Sequence, residues 1–488
     1  MNNEYLIGID VGTTSVKASL FTVNGAVVGS SVVQYPTHYP SPTFAEQNPQ
    51  DWTNAIVKAL HAFVPLVGNN AVRSIGITSQ VNTHVFCNSE MHVLCPAIVW
   101  KDGRAINQAN KLNERVSDQQ RMDWWGAPMP IDASHALSRM LWMREHRAQL
   151  WQQTQHVLLP KDYCIWFLTG ELVSDAWSNI GLVSADLNYV KHLLELVDDA
   201  HSKLPPIQEM TSVAGEIKSQ LPFAGVPVAT GTMDAWAGVF GTNVSRQGES
   251  MYLSGTSEVL GIVSNSVNPT PGVLVMPRNH DITMHIGPTQ SGGASQLWFC
   301  KLFGVNPEDM AQLAAQCRTN KQSVPLFLPH IQGERAPLWD SAARGVFIGL
   351  DDTTDAAAMA YAVYEGVAFS ARWLLESLQS SASEHPSRIN VGGGGFRSDL
   401  WNQIRADVLG VELCRAAVTD PGVLGAAGIS AVAVGIHATV QQAFENLVSI
   451  DRCYQPDFGQ TDRMAERMSL FKDTYTKTAE LSHRWLEN

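Results

Sequence analysis

Four short stretches combine glycine, hydroxyl and carboxylate groups in ways that serve phosphate chemistry. The first is Asp10-Val11-Gly12-Thr13-Thr14-Ser15-Val16-Lys17. Glycine lets backbone wrap an oxyanion closely, and the N–H and hydroxyl groups beside it donate to phosphate oxygens. Asp10, at a strand end, suits Mg²⁺ or its water shell, and Lys17 adds positive charge. An ordinary hairpin turn would use the same residues. A second turn, Ser254-Gly255-Thr256-Ser257, has the same pattern, and a triphosphate needs donors from two sides. The third stretch, Gly392-Gly393-Gly394-Gly395, follows a strand and precedes a helix, which leaves room for a planar ring and N–H groups for phosphate. A flexible loop is the competing reading. The GxGxxG arrangement is absent, which argues against a Rossmann oxidoreductase. In the fourth, Thr230-Gly231-Thr232-Met233-Asp234, the carboxylate stands where a strand gives way to a helix. The helix dipole should keep Asp234 ionised, ready to accept a hydroxyl proton, although an N-cap is an equally good use of the residue.

The elements that must hold these groups read as alternating strands and helices. Residues 5–35 suggest two or three strands, with a hairpin at Asn24-Gly25. A helix is expected over 51–66, capped by Asn48 or Asp51, then strands at Val72–Thr78 and Val93–Trp100. Residues 105–170 read as largely helical; Val226–Thr230 is a buried strand followed by a small-residue helix. A second strand set opens near Ser250, with a long helix from Ala356 and a strand at 389–395. The run Gly425–Gly435 is almost wholly small and apolar, as in a helix packed tightly on its neighbours. This alternation implies an α/β fold with a mixed or parallel sheet. The repeated strand–glycine–hydroxyl turn suggests two similar halves, 1–245 and 246–488, with ligands in a cleft between them.

At 488 residues the chain exceeds the size at which one core stops growing. Its net charge of −13 argues against nucleic acid or an anionic membrane as partner. The N-terminus lacks a basic segment ahead of Tyr5-Leu6-Ile7-Gly8-Ile9, and no apolar run approaches ~18 residues, so a cytoplasmic protein without a membrane span is expected. Seven scattered cysteines, none as CxxC, fit reduced thiols and no zinc site. His84, His280 and His285 lack metal-ligand spacing. Trp124-Trp125 reads as packing, Lys161-Asp162 as a structural ion pair and Glu334-Arg335 as a pair linking the halves.

Taken in order, these segments resemble the FGGY carbohydrate kinases of the actin-like ATPase superfamily, most closely their xylulose-phosphorylating members. The resemblance spans essentially the whole chain. It is carried by Gly8-Ile9-Asp10-Val11-Gly12-Thr13, Trp100-Lys101-Asp102-Gly103-Arg104, Leu159-Pro160-Lys161-Asp162-Tyr163 and Thr169-Gly170-Glu171. Gly231 with Asp234, Ser254-Gly255-Thr256-Ser257, Gly333-Glu334-Arg335-Ala336-Pro337, Gly345 to Leu350 with Glu365-Gly366, and Gly392-Gly393-Gly394 complete it. It implies two ribonuclease-H-like domains that close on ATP and a small sugar or polyol, and a homodimer. Asp10 would hold the Mg²⁺ environment, with Thr13 and Thr14 at the terminal phosphates and Lys17, from the motif itself, adding its charge nearby. Asp234 would be the general base. Gly255 and Thr256 would hold the β/γ region, while Gly393, Gly394 and Asn402 line the adenosine site. Trp100, Asp102 and Arg104, with Gln80, Val81 and Asn82, would form the sugar pocket.

Three positions depart from the family pattern. Where the xylulose-phosphorylating members read Gln-Met-His-Gly, this chain reads Gln80-Val81-Asn82-Thr83; Ala235 replaces the asparagine after the base; Arg139 replaces a lysine. The first two lie at the sugar. A lost hydrogen-bond partner shifts preference by about 1–3 kcal/mol. A ketopentose such as D-xylulose is therefore one candidate, and erythrulose, gluconate or a glycerol-like polyol are others. A non-catalytic sensor or an actin-like ATPase acting on proteins is the reading from another class.

Overall fold

The computed structural model of the protein describes residues 4–68, 71–125, 129–276, 278, 282–320 and 323–486; His280 lies outside them. The chain forms two compact units, Met1–Asn243 with Pro421–Val448, and Val244–Asp420 with Ser449–Asn488. Residues 421–448, beyond the boundary read near 245, thus belong to the first unit.

The first unit is built on a six-stranded sheet in the order 213–216, 227–229, 72–79, 5–11, 15–22, 27–34. Tyr5–Val11 runs parallel to Val72–Ser79 and antiparallel to Ser15–Thr22, whose hairpin to Val27–Gln34 turns at Gly25 with φ +83°. Leu6 to Ile9 are fully buried because helices cover both faces, as a central α/β strand requires. One cover is the helix Pro49–Val67, capped by the Asn48 side chain on Gln50 N–H. The other is the helix Pro421–Ala433, which approaches so closely that glycine is obligatory: a Cβ on Gly8 would lie 1.9 Å from the Val423 carbonyl oxygen, and one on Gly76 1.8 Å from that of Ala426. The small-residue run is therefore a close-packing device. The stretch expected as a strand over Val93–Trp100 forms one only at Ala97–Ile98, where Glu46-Gln47 offers a partner just two residues long, and otherwise makes a single bridge from Val93 to Cys87.

The second unit repeats the scheme. Its seven-stranded sheet runs 274–275, 283–288, 258–264, 250–254, 388–392, 412–416, 450–454. Ser250–Ser254 is antiparallel to Glu258–Ser264 and parallel to Arg388–Gly392, as Tyr5–Val11 is to its own neighbours. The helix Ala356–Ala382 buries one face of this sheet. In the two outer strands Cys414 faces Cys453 directly, and the two form a disulfide. Of the described cysteines only five are free thiols, against the expectation that all seven are reduced.

Candidate active site

In the first unit, three adjacent parallel strands end side by side, the usual place for ligands in an α/β sheet. Asp10 sits one residue before the end of the first, opposite Lys17 on one side and Thr78 on the other. Next to its carboxylate, Cβ atoms built on Gly12 and Gly422 would come 3.9 and 3.8 Å from Oδ2, so glycine keeps the space around it clear. The turn that follows is closed by Gly12 N–H to the Ser15 carbonyl (3.1 Å) and by the Tyr35 hydroxyl, which donates to the Gly12 carbonyl. Burial, aided by Asp10, pushes the Tyr35 hydroxyl's pKa upward and keeps it a donor. Thr13 is half-buried and Thr14 exposed.

The second strand end carries Gln80, whose N–H donates to the Val11 carbonyl at 3.0 Å. Its side chain is buried; Nε2 donates to Gln47 Oε1 (3.0 Å), while Oε1 makes no protein hydrogen bond. Gln47, which the sequence reading did not single out, is the hub here. It also donates to the Thr13 carbonyl (2.6 Å) and Thr37 Oγ1 (2.8 Å), and accepts from the Trp52 indole (3.2 Å). One amide thus ties the phosphate turn to the sugar segment. Its placement just before the cap residue Asn48 was the signal available. Asn82 occupies left-handed backbone (φ +53°), and its Nδ2 donates to Ser134 Oγ at 3.2 Å. What holds it is Arg139, fully buried, donating to the carbonyls of Asn82, Ile98 (2.8 Å) and Val99 (2.6 Å) and meeting His84 Nδ1 at 3.0 Å. Burial pulls the Arg139 pKa down to about 9, and the same burial lowers that of His84. Val81 is half-buried beside them.

Trp100 is well exposed, and its indole N–H donates to Thr13 Oγ1 at 3.0 Å, so it does lean over the phosphate turn. Asp102 does not reach outward. It is 2% exposed and accepts from Ala45 N–H (2.6 Å) and from Arg104 Nε and Nη2. Arg104 is in turn held by Glu46 at 2.7 Å and stacks on Phe44 at 3.8 Å. The pair braces the segment behind Trp100, and both carboxylate oxygens are taken by donors of the chain itself.

Asp234 opens the helix Asp234–Gly241 beyond the third strand. Its Oδ1 accepts from Ala235 N–H at 2.8 Å, and desolvation raises its pKa to about 6 against these backbone donors. The helix dipole is not what sets the value, since burial wins over it, but the group is still mostly ionised at pH 7, as expected. The loop before it is braced: Thr78 Oγ1 donates to the Thr232 carbonyl (2.6 Å) and Thr232 Oγ1 to Asp175 Oδ2 (2.8 Å). Asp175 and Asp162 flank the buried Lys161 at 3.1 and 2.8 Å. Burial alone would lower the lysine's pKa, but the two carboxylates raise it on balance. The ion pair expected at Lys161-Asp162 is therefore real, and Asp175 is the member the sequence concealed.

In the second unit, Gly255 and Thr256 form the turn between Ser254 and Glu258. A Cβ on Gly255 would meet nothing closer than 3.9 Å, and one on Gly394 nothing within 4 Å, so both backbones are approachable. Gly393 and Gly395 are glycine for another reason: their Cβ atoms would fall 2.5 Å from the Ser254 carbonyl oxygen and 2.1 Å from Ser254 Oγ. Beside them is a cavity of about 280 Å³, lined by Gly392, Gly393, Phe396, Arg397, Arg415 and Thr419 among others. That room suits a flat base. Asn402 is not on its wall; it is fully buried and donates to the Phe396 carbonyl at 2.8 Å, bracing the loop from behind. Glu334 and Arg335 do not pair as side chains. Glu334 meets His330 (3.0 Å) and Ser291 (2.7 Å), and Arg335 donates to the Thr289 carbonyl, all within this unit. Trp124 and Trp125 pack edge to face at 5.7 Å, and His285 is buried between Ser381 and the Ser266 carbonyl.

Two family models match the chain: the N-terminal domain of the FGGY family of carbohydrate kinases over residues 5–241, and its C-terminal domain over 251–434. A xylulose kinase of Klebsiella pneumoniae is 31% identical over 485 residues, covering 96% of this chain and 98% of that protein. Among solved structures, a ligand-bound xylulose kinase from Lactobacillus acidophilus superposes with a TM-score of 0.87 at 24% identity, over 99% of this chain and all of the other. A gluconate kinase from Lactobacillus acidophilus does so at 0.85, also at 24% identity and over the same shares. The fold is the two-domain, actin-like α/β fold of the FGGY kinases, the family to which the chain belongs.

Proposed function

Since the chain belongs to the FGGY family of carbohydrate kinases, we propose that it transfers the γ-phosphoryl group of ATP to a hydroxyl of a neutral small ketose, D-xylulose being the first candidate. The observation that carries this reading is the placement of Asp10 at the carboxyl end of one strand, and of Gln80 and Asp234 beyond the ends of the two parallel strands next to it. Asp234, ionised above about pH 6, accepts the hydroxyl proton as the sugar oxygen attacks phosphorus and ADP departs. Thr13, Thr14 and Lys17 are the phosphate donors of the first unit, and Gly255 and Thr256 are those of the second. Gly393 and Gly394 border the base. Mg²⁺, which neutralises phosphate charge when bound, fits beside Asp10, where two glycines leave its carboxylate room.

The acceptor is recognised by Asn82 with Val81 and by the Trp100 face, and the buried Gln80, joined to Gln47, backs them. Gluconate, on which one structural neighbour and one relative act, is the second reading. What favours a neutral acceptor is that the pocket-side guanidiniums are engaged: Arg104 by Asp102 and Glu46, and Arg139 by three carbonyls. A carboxylate substrate would need one of them released. The enzyme works in the cytoplasm, where ATP and free sugars meet, as a homodimer.

A coupled ADP-release screen over pentuloses, tetruloses, polyols and aldonates tests this. A ketose preferred over every aldonate is expected; gluconate as the best acceptor would overturn the neutral-acceptor reading, and no acceptor at all would overturn the kinase reading.

A further inference from the structure

The phosphate turn at Ser254–Thr256 and the glycine loop at Gly393–Gly395 lie about 140 residues apart in sequence, yet they touch. A fully buried ion pair joins them. Arg405, on the helix Asp399–Leu409, donates through Nη1 to the Gly395 carbonyl at 2.8 Å. Its Nη2 reaches Ser254 Oγ at 3.0 Å and Glu258 Oε1 at 2.6 Å. Ser254 Oγ in turn donates to Glu258 Oε1 (2.9 Å), and the Tyr252 hydroxyl donates to the other oxygen. The guanidinium is sandwiched against Trp401 at 3.9 Å and Phe396 at 4.5 Å, which leaves it no freedom to swing away. Arg405 and Glu258 are 0% and 1% exposed as side chains, so neither can touch a nucleotide.

Burying two charges is costly, and an apolar pair of equal volume would serve packing as well or better. A planar fork that bonds both loops at once does something apolar side chains cannot: it fixes their separation. We infer that Arg405 and Glu258 are positioning residues that hold the phosphate turn and the glycine loop in one fixed mutual orientation, so that a single ATP molecule meets both without either having to rearrange. The inference rests on the kinase reading above. In the language of linked sites, the pair sets the effective concentration at which one end of ATP meets its loop once the other is bound.

The test compares ATP with its two halves, adenosine and tripolyphosphate, by calorimetric titration of the full chain and of Arg405→Lys and Glu258→Gln. Lysine keeps the charge but loses the fork; glutamine keeps the shape but leaves the arginine unpaired. Expected is a loss of about tenfold or more in ATP affinity, with each half bound within about threefold of wild type. The KM for ATP should rise likewise while that for the acceptor stays put. Equal loss for ATP and both halves, or no loss at all, would overturn the positioning role. If either variant fails to fold, Ser254→Ala, which removes one strut of the same bridge, gives the same comparison. Wild-type protein that binds no ATP would overturn the kinase reading instead, a result distinct from either.

Discussion

Replacing Asp234 by asparagine should cost activity and add stability, two effects of one desolvated carboxylate. Burial lifts its pKa from the ordinary 3.8 to about 6. That rise corresponds to about 3 kcal/mol, at roughly 1.4 kcal/mol per pH unit, and it is a ceiling because the group is partly exposed. The sign follows from the direction. The folded value lies above the unfolded one, so the ionised group weakens the fold above about pH 6, and the penalty fades as pH falls toward 4. A neutral amide at this position would carry no such penalty. At pH 8 Asp234→Asn should melt up to about 5 °C higher than wild type, and the gap should close near pH 4. Turnover should drop by about 10²–10⁴-fold, the usual worth of a general base. In wild type, kcat/KM should fall as pH drops through about 6. Unchanged turnover would refute the base, and a variant that melts lower at pH 8 would refute the desolvated carboxylate.

Gln47→Ala removes the hub between phosphate turn and sugar segment, so steady-state kinetics should show raised KM values for both ATP and acceptor, with a stability loss of about 2–3 kcal/mol. Lys161→Met strands Asp162 and Asp175 without their cation, and denaturant unfolding should register a loss of about 3–5 kcal/mol. Thiol titration of the unfolded chain should find five thiols before reduction and seven after; seven before reduction would exclude the Cys414–Cys453 bridge.

The strand–glycine–hydroxyl turns at Asp10 and Ser254 were legible because each is local: a few neighbouring residues carry the whole signal. So were the helices from Pro49 and Ala356, whose apolar spacing lies within their own length, the first with its cap Asn48 beside it. What stayed hidden depends on partners far along the chain. Asp175 joins Lys161 only after folding, Arg405 meets Glu258 across 147 positions, and Gln47 looks like a residue before a cap until Thr13 and Gln80 arrive. Asp102 and Arg104 read as sugar contacts because their types suit a polyol, but Ala45 and Glu46 claim them first. The pKa of Asp234 moved opposite to the dipole argument because burial, which no local pattern reveals, outweighs two backbone donors.

The helix Pro421–Ala433 also governs when the protein can finish assembling. As the chain emerges from the ribosome, the strand Tyr5–Val11 must wait for more than four hundred further residues before Val423 and Ala426 arrive to shield Gly8 and Gly76. A fragment ended near residue 245 would therefore expose one greasy side of its first sheet, and would precipitate or be held by chaperones rather than stand alone.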